Sequence, residues 1–222
     1  MMFDLEESYG RLALWNILSQ IWLGEWDEYE AYFRELPLEV KQEFPFHSHF
    51  KREEVSLWYD NYFVIPGDYF VPPYFSSYSG GDSREPLVGS SDGEFLQEDD
   101  TKQELLCLIG HFERVGYYYP LEKDVYPDHF GSLAGFMVSA IREEIQSISN
   151  GNSNRSIEMK ELQEEILVKY LIPVEDKLKK SAQERIMHPF FQTFLTFYHN
   201  AVQQESVLLR SAGRDRSHAE FN

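Results

Sequence analysis

The sequence predicts an all-α protein, a single globular bundle of roughly seven to nine helices. Apolar side chains recur at intervals of three and four residues along most of the chain, which is the period of an amphipathic helix. No stretch of useful length alternates apolar and polar residues in the manner of a half-buried strand. The 222 residues, 42% of them apolar and 26% charged, suit one compact domain.

The N-terminal part of the chain is predicted to be a series of helices. Gly24 and Pro37 provide stops between them, because glycine readily ends a helix and proline cannot continue one. The predicted helices cover residues 5–23, 26–36 and 38–44 (one or two turns); the segment 53–63 fits either a helix or a strand, and a helix is favoured.

Residues 64–101 are predicted to form a long loop within a domain that covers residues 1–210. The segment contains four prolines and several glycine and paired serine residues, and it ends in an acidic cluster. A loop of this length inside a domain is usually functional or disordered.

Helical spacing resumes at Lys102 and continues to the end of the domain. Gly116 lies where a C-terminal cap is expected, and Pro189 suits the first turn of the last helix. Residues 211–222 are expected to be a flexible polar tail. The helices are predicted at 102–116, 128–149, 157–171 and 174–185, and from 189 onward.

The charge balance excludes several kinds of partner. Thirty-eight acidic against 20 basic residues give a formal charge of −18, which argues against nucleic-acid binding because that requires a basic surface. No apolar run reaches the ~18 residues of a membrane span, so no integral membrane segment is expected. The acidic start of the chain resembles neither a secretory leader nor a transit peptide, and a cytoplasmic location is predicted.

Catalytic and cofactor motifs are sparse. The chain lacks a glycine-rich phosphate loop, a G-x-S-x-G elbow and an H-E-x-x-H pair, so no cofactor is predicted. The single Cys107 is expected to be a buried structural thiol. One alternative is a helical metal-dependent enzyme, in which Asp99, Asp100 and Glu104 share a hydrated Mg²⁺. The competing interpretation of these acids is a solvated helix N-terminus.

The most informative stretch is the turn Pro127-Asp128-His129. Asp128 is expected to cap the helix that begins there, since its carboxylate can accept backbone N–H groups. The imidazole of His129 is expected to point out of the loop.

Around this turn the chain resembles the TorD/DmsD family of redox-enzyme maturation chaperones. The resemblance rests on Asp124-Val-Tyr-Pro127-Asp128-His129 followed by Gly135-Phe136-Met137. The segment 71–78, Val-Pro-Pro-Tyr-Phe-Ser-Ser-Tyr, is similar to a second family segment, and Phe75 stands where an acid is common. A third similarity covers Tyr170 to Leu178 and His188 to Phe191, with Tyr170, Val174 and Phe191 in place of the family's His, Trp and Tyr.

The resemblance implies a binding protein and not an enzyme. Members of the family are all-helical cytoplasmic proteins that bind the twin-arginine leader and the body of a molybdopterin oxidoreductase, and hold it until its molybdenum cofactor is inserted. It implies a monomer or a domain-swapped dimer. It also implies a client-binding site formed by Pro72, Tyr74, Asp124, Tyr126, Pro127, Asp128, His129 and Phe136.

A twin-arginine leader has a basic segment followed by an apolar one, so its receptor needs acidic charge beside an apolar or aromatic groove. The charge of −18 and the aromatic content of 16% agree with that requirement. The same composition suits a helical adaptor without leader specificity, which is the third interpretation.

Overall fold

The computed structural model describes residues 5–79, 95–120 and 125–219, with the backbone alone at 95–101 and 212–219. Within these ranges nine α-helices of five or more residues, and one single-turn α-helix, confirm the predicted all-α bundle. They are α1 (Leu5–Trp22), α2 (Trp26–Glu35), α3 (Leu38–Gln42), α4 (Arg52–Tyr59), the single turn α5 (Ser76–Ser79), α6 (Phe95–Arg114), α7 (Phe130–Ser149), α8 (Ser153–Ile166), α9 (Glu175–Arg185) and α10 (Pro189–Ala219).

Helix α7 lies at the centre of the bundle, between α1 and α8. Two of its glycines allow close packing. A Cβ atom on Gly131 would lie 2.5 Å from the side chain of Leu23, and one on Gly135 would lie 2.4 Å from the hydroxyl of Tyr117. Larger residues at these two positions would therefore push neighbouring segments away from α7.

Trp22, at the end of α1, is the centre of an aromatic core. Its ring centroid lies 5.1 to 5.4 Å from those of Phe63, Phe130, Phe194 and Tyr198. These distances, and the tilted or edge-to-face angles, are those of favourable aromatic pairs. The high aromatic content is thus largely a property of the core.

A buried charged cluster links four helices. Arg11 of α1 donates to Glu144 of α7 at 3.1 Å and to Glu205 of α10 at 2.8 Å. It also donates to Gln163 of α8, which in turn donates to Glu144 at 2.9 Å. Lys160 Nζ lies 3.7 Å from Glu144. The sequence analysis missed this cluster, because helical spacing places these polar residues on faces that are otherwise apolar.

The structure corrects two predicted boundaries. Helix α6 begins at Phe95 and not at Lys102, so the last residues of the expected loop 64–101 are helical. Helix α10 continues to Ala219, which places a helical backbone where a flexible tail was expected. Residues 80–94, the centre of the predicted loop, lie outside the described ranges.

Helix α6 buries only part of its apolar surface. Leu108 and Phe112 are buried, whereas Leu106 is 54% exposed. Cys107 is exposed, so the expectation of a buried structural thiol is wrong. Helical periodicity alone does not decide whether a residue beside the apolar face is covered by another segment.

In the described ranges, no helix combines the length and the apolar character needed to cross a bilayer.

Candidate functional site

The Pro127–His129 turn is joined to residues 73–76 by backbone hydrogen bonds. The amide of Phe75 donates to the carbonyl of Asp128 at 3.0 Å, and the amide of Phe130 donates to the carbonyl of Pro73 at 2.9 Å. Tyr74 and His129 thereby form an isolated antiparallel bridge. Two segments more than 50 residues apart in the sequence are thus held side by side at the start of α7.

Asp128 fixes this arrangement and does not cap α7. Its Oδ2 accepts a hydrogen bond from the amide of Ser76 at 3.0 Å, and only 3% of the residue is exposed. The cap is His129, whose Nδ1 accepts from the amide of Gly131 at 3.0 Å. The predicted cap is therefore wrong by one residue, because the carboxylate of Asp128 accepts a hydrogen bond from the 73–76 segment and not from the first turn of α7.

His129 is buried and faces inward, so the prediction of an imidazole pointing out of the loop is also wrong. Burial lowers its pKa from 6.5 to about 3, so the ring is neutral at pH 7. Because Nδ1 accepts a hydrogen bond, the neutral ring carries its proton on Nε2. The ring of Tyr74 packs edge-on against it, with centroids 5.0 Å apart.

A cleft of about 350 Å³ opens where the turn, the 74–77 segment and α6 meet. Tyr126 is 64% exposed and Leu105 is partly exposed, which gives the cleft an apolar and aromatic surface accessible from solvent. Asp128 lies at the base of the cleft with its carboxylate buried against the amide of Ser76. We call this site the turn cleft; it is lined by Tyr74, Ser76, Ser77, Leu105, Tyr126 and Asp128.

The backbone beneath Tyr126 is fixed by α7. The hydroxyl of Ser132 donates to the carbonyl of Tyr126 at 3.2 Å, and the side chain of Tyr117 hydrogen-bonds to Ser132. Tyr117 itself packs on Gly135. The exposed ring of Tyr126 therefore projects from a rigid support, and such support reduces the entropic cost of binding.

The predicted client-binding residues divide into accessible and inaccessible ones. Tyr126 is exposed, and Pro72 and Tyr74 are partly exposed. Asp124 lies outside the described residues. The remaining four are buried, so they support the site and offer little surface to a partner: Pro127, Asp128, His129 and Phe136.

Phe136 is the clearest correction among these residues. It is fully buried in α7, with its ring centroid 5.6 Å from that of Phe112. Conversely, the sequence analysis did not select Ser76, Ser77 or Leu105, which line the cleft. The first two fall within the family-like 71–78 segment, which was the available signal. No sequence signal marked Leu105 as a site residue, because an apolar residue on a helix is ordinarily assigned to the core.

The alternative metal site falls largely outside the described side chains. Asp99 and Asp100 belong to the part of α6 for which the backbone alone is described, and Glu104 is exposed. Among the side chains that are described, no group of three His, Cys, Asp or Glu residues is arranged to hold a metal ion.

No protein-family model, curated protein or solved structure matches this chain.

Proposed function

We propose that this protein is a cytoplasmic chaperone that binds the twin-arginine leader of a molybdenum-cofactor oxidoreductase and assists its maturation before export. In this proposal the protein is not an enzyme, and the turn cleft receives the leader. The observation that carries the proposal is the exposed aromatic and apolar surface at Tyr126 and Leu105, positioned by the buried Asp128–His129 turn. The resemblance around residues 124–137 agrees with it.

The apolar part of a leader matches the uncharged wall of the cleft. Tyr126 and Leu105 offer side-chain area that a bound apolar segment would remove from water, at roughly 25 cal/mol per Å² before the cost of ordering the peptide. Exposed aromatic residues on a rigid support are typical centres of binding energy.

The basic part of a leader matches the charge of the protein. Glu104, which precedes Leu105 in the sequence, is exposed, and the chain as a whole carries a formal charge of −18. The exposed acids and this net charge attract arginines over a distance and increase the rate of association. This part of the interaction is screened by salt, since exposed charges interact over ~8 Å at physiological ionic strength.

Titration calorimetry with three peptides tests the proposal. The first carries paired arginines followed by an apolar stretch, the second has both arginines replaced by lysine, and the third has the apolar stretch replaced by serine and glycine. We expect the third to bind most weakly, with a negative heat-capacity change for the first. High salt should weaken binding of the first peptide without abolishing it.

A matched pair of variants locates the site. Tyr126→Ala should weaken binding of the first peptide by about fivefold or more, since truncating a central aromatic costs more than ~1 kcal/mol. Tyr9→Ala removes another exposed tyrosine, on α1 and outside the cleft, and should leave the affinity unchanged. Equal losses of affinity in the two variants would mean that the peptide does not bind at the turn cleft.

Three outcomes would overturn the chaperone proposal. Failure of the first peptide to bind at tens of micromolar would remove the leader as a partner. Loss of all binding at high salt would favour an acidic adaptor without leader specificity. Stabilisation by millimolar Mg²⁺ that Asp100→Ala abolishes would instead favour the metal-dependent enzyme.

A further inference from the structure

A second cavity, of about 270 Å³, lies between α9 and α10, away from the turn cleft. Its apolar wall is formed by Leu178, Ala182, Ile186 and Leu195. The volume exceeds the ~150 Å³ of an apolar cavity that holds benzene, and it approaches the lower limit of ordinary ligand pockets. The cavity is therefore large enough for a small molecule with a hydrocarbon part.

Glu175, the first residue of α9, brings a carboxylate to this apolar cavity. The residue is 4% exposed. Its Oε2 accepts from the side-chain amide of Gln203 and lies 3.4 Å from Nδ1 of His199. Its Oε1 is buried and has no hydrogen-bond partner among the residues that the structure describes.

An unpaired acceptor of this kind is unusual. Buried polar groups are nearly always hydrogen-bonded, and leaving one unsatisfied costs about 1–3 kcal/mol, more when it is charged. A ligand that donates a hydrogen bond to Oε1 would remove that cost; because Oε1 is itself buried, the carboxylate has to turn towards the cavity to accept it. A positively charged donor would in addition compensate the buried carboxylate.

The protonation state of Glu175 responds to such a ligand. Burial raises the pKa of this carboxyl to about 7, so near neutral pH it is partly protonated. The other charged or titratable groups near it are Asp176 and Lys179 on α9 and Tyr198 and His199 on α10. A bound cation favours the ionised carboxylate, so binding and deprotonation of Glu175 are linked.

We propose that the α9–α10 cavity binds a small apolar ammonium compound. The hydrocarbon part of the ligand packs against Leu178, Ala182, Ile186 and Leu195, and its ammonium group donates to Glu175. This site is separate from the leader-binding proposal and does not depend on it.

The test uses 2-phenylethylamine as the probe and 2-phenylethanol as its neutral match, with the full chain, by calorimetry and thermal unfolding. We expect the amine to bind at least tenfold more tightly than the alcohol at pH 8. Its affinity should fall by a further severalfold at pH 6, where Glu175 is largely protonated while an alkylamine, with a pKa near that of lysine at ~10.4, stays charged. These comparisons need no variant.

Three variants complete the test. Glu175→Gln keeps the shape and removes the charge, so it should abolish the preference for the amine over the alcohol. Ala182→Leu fills the cavity and should weaken both probes. Glu184→Gln changes an exposed acid on the same helix, outside the cavity, and should change neither affinity.

Equal affinities for amine and alcohol in the unsubstituted protein would reduce the site to an apolar cavity and overturn the proposal. So would the absence of saturable binding at millimolar amine, or an amine affinity that Glu175→Gln leaves unchanged. Failure of the leader peptides to bind would not affect this result, because they are expected at the turn cleft.

Discussion

The carboxylate of Asp128 accepts a hydrogen bond from the backbone amide of Ser76 at 3.0 Å, across 52 residues of sequence. The carbonyl of the same residue accepts from the amide of Phe75. Asp128 thus holds the 73–76 segment against the start of α7 with both its side chain and its backbone. The turn cleft exists because of this contact, since one of its walls belongs to each segment.

Asp128→Ala should therefore destabilise the protein. A hydrogen bond to a charged group contributes about 1.5–3 kcal/mol, and the substitution also leaves the Ser76 amide without this acceptor. Denaturant unfolding should show a loss of that size, with a smaller loss for Asp128→Asn, which keeps an acceptor oxygen. Asp68→Ala removes an exposed aspartate and should stay within ~0.5 kcal/mol of the unsubstituted protein. Equal effects of Asp128→Ala and Asp68→Ala would contradict the structural role.

His129 should make stability depend on pH. Its native pKa of about 3 lies below the unfolded value near 6.5, so below pH 6.5 the unfolded chain binds a proton that the native state does not. Its contribution to stability is complete above pH 6.5 and is lost as the pH falls towards 3, at up to ~1.4 kcal/mol per pH unit.

The variant His129→Asn isolates this effect, because asparagine is also a good N-cap but does not titrate. The free energies of unfolding at pH 7, 6 and 5 should fall more steeply for the unsubstituted protein than for the variant. Parallel pH profiles would show that the imidazole is already protonated, or is exposed, in the folded state.

The buried cluster around Arg11 should be among the most sensitive sites for stability. Arg11→Met removes the partner of Glu144 and Glu205 while keeping an apolar side chain, and breaking a buried pair costs about 3–5 kcal/mol. Arg34→Met, on the exposed face of α2, is the control and should have little effect. Combining Arg11→Met with Glu144→Gln and Glu205→Gln should restore part of the loss, because the two carboxylate charges that faced Arg11 are then absent and only the charge of Lys160 remains in the cluster. A triple variant less stable than Arg11→Met alone would contradict this account.

Gly135 should not tolerate a side chain. A Cβ atom there would lie 2.4 to 2.9 Å from atoms of the Tyr117 ring, so Gly135→Ala has to displace the segment that supports Tyr126. We expect a loss of about 1–3 kcal/mol in thermal or denaturant unfolding. Gly110→Ala in α6 meets no atom within 4 Å and should be neutral or stabilising by up to ~1 kcal/mol.

A double-mutant cycle identifies Tyr117 as the cause. In a Tyr117→Ala background, Gly135→Ala should cost less than it does alone, because the clashing ring is absent. An unchanged cost would attribute the effect of Gly135→Ala to α7 itself.

The sequence predicted the helices because their signals are local. Apolar spacing within a single segment located the cores of α1, α2, α7 and α10, and Pro189 begins α10 as expected. Gly24 and Gly116 were predicted as helix stops, and both have positive φ, at 65° and 63°. Each of these features depends on residues within about four positions of one another, which is the reach of the helical repeat.

The tertiary structure alone decided what the polar residues do. His129 takes the capping role expected of Asp128, because the carboxylate of Asp128 instead accepts a hydrogen bond from an amide 52 positions away. Arg11 donates a hydrogen bond to Glu205, which is 194 positions away in the sequence. Leu105 lines the turn cleft because of the way α6 packs in the bundle. Helical periodicity predicts which face of a segment is apolar, but it does not predict which other segment packs against that face. The partners of a buried charge and the residues that line a cleft depend on which helices pack against each other. They are therefore defined only in the folded chain.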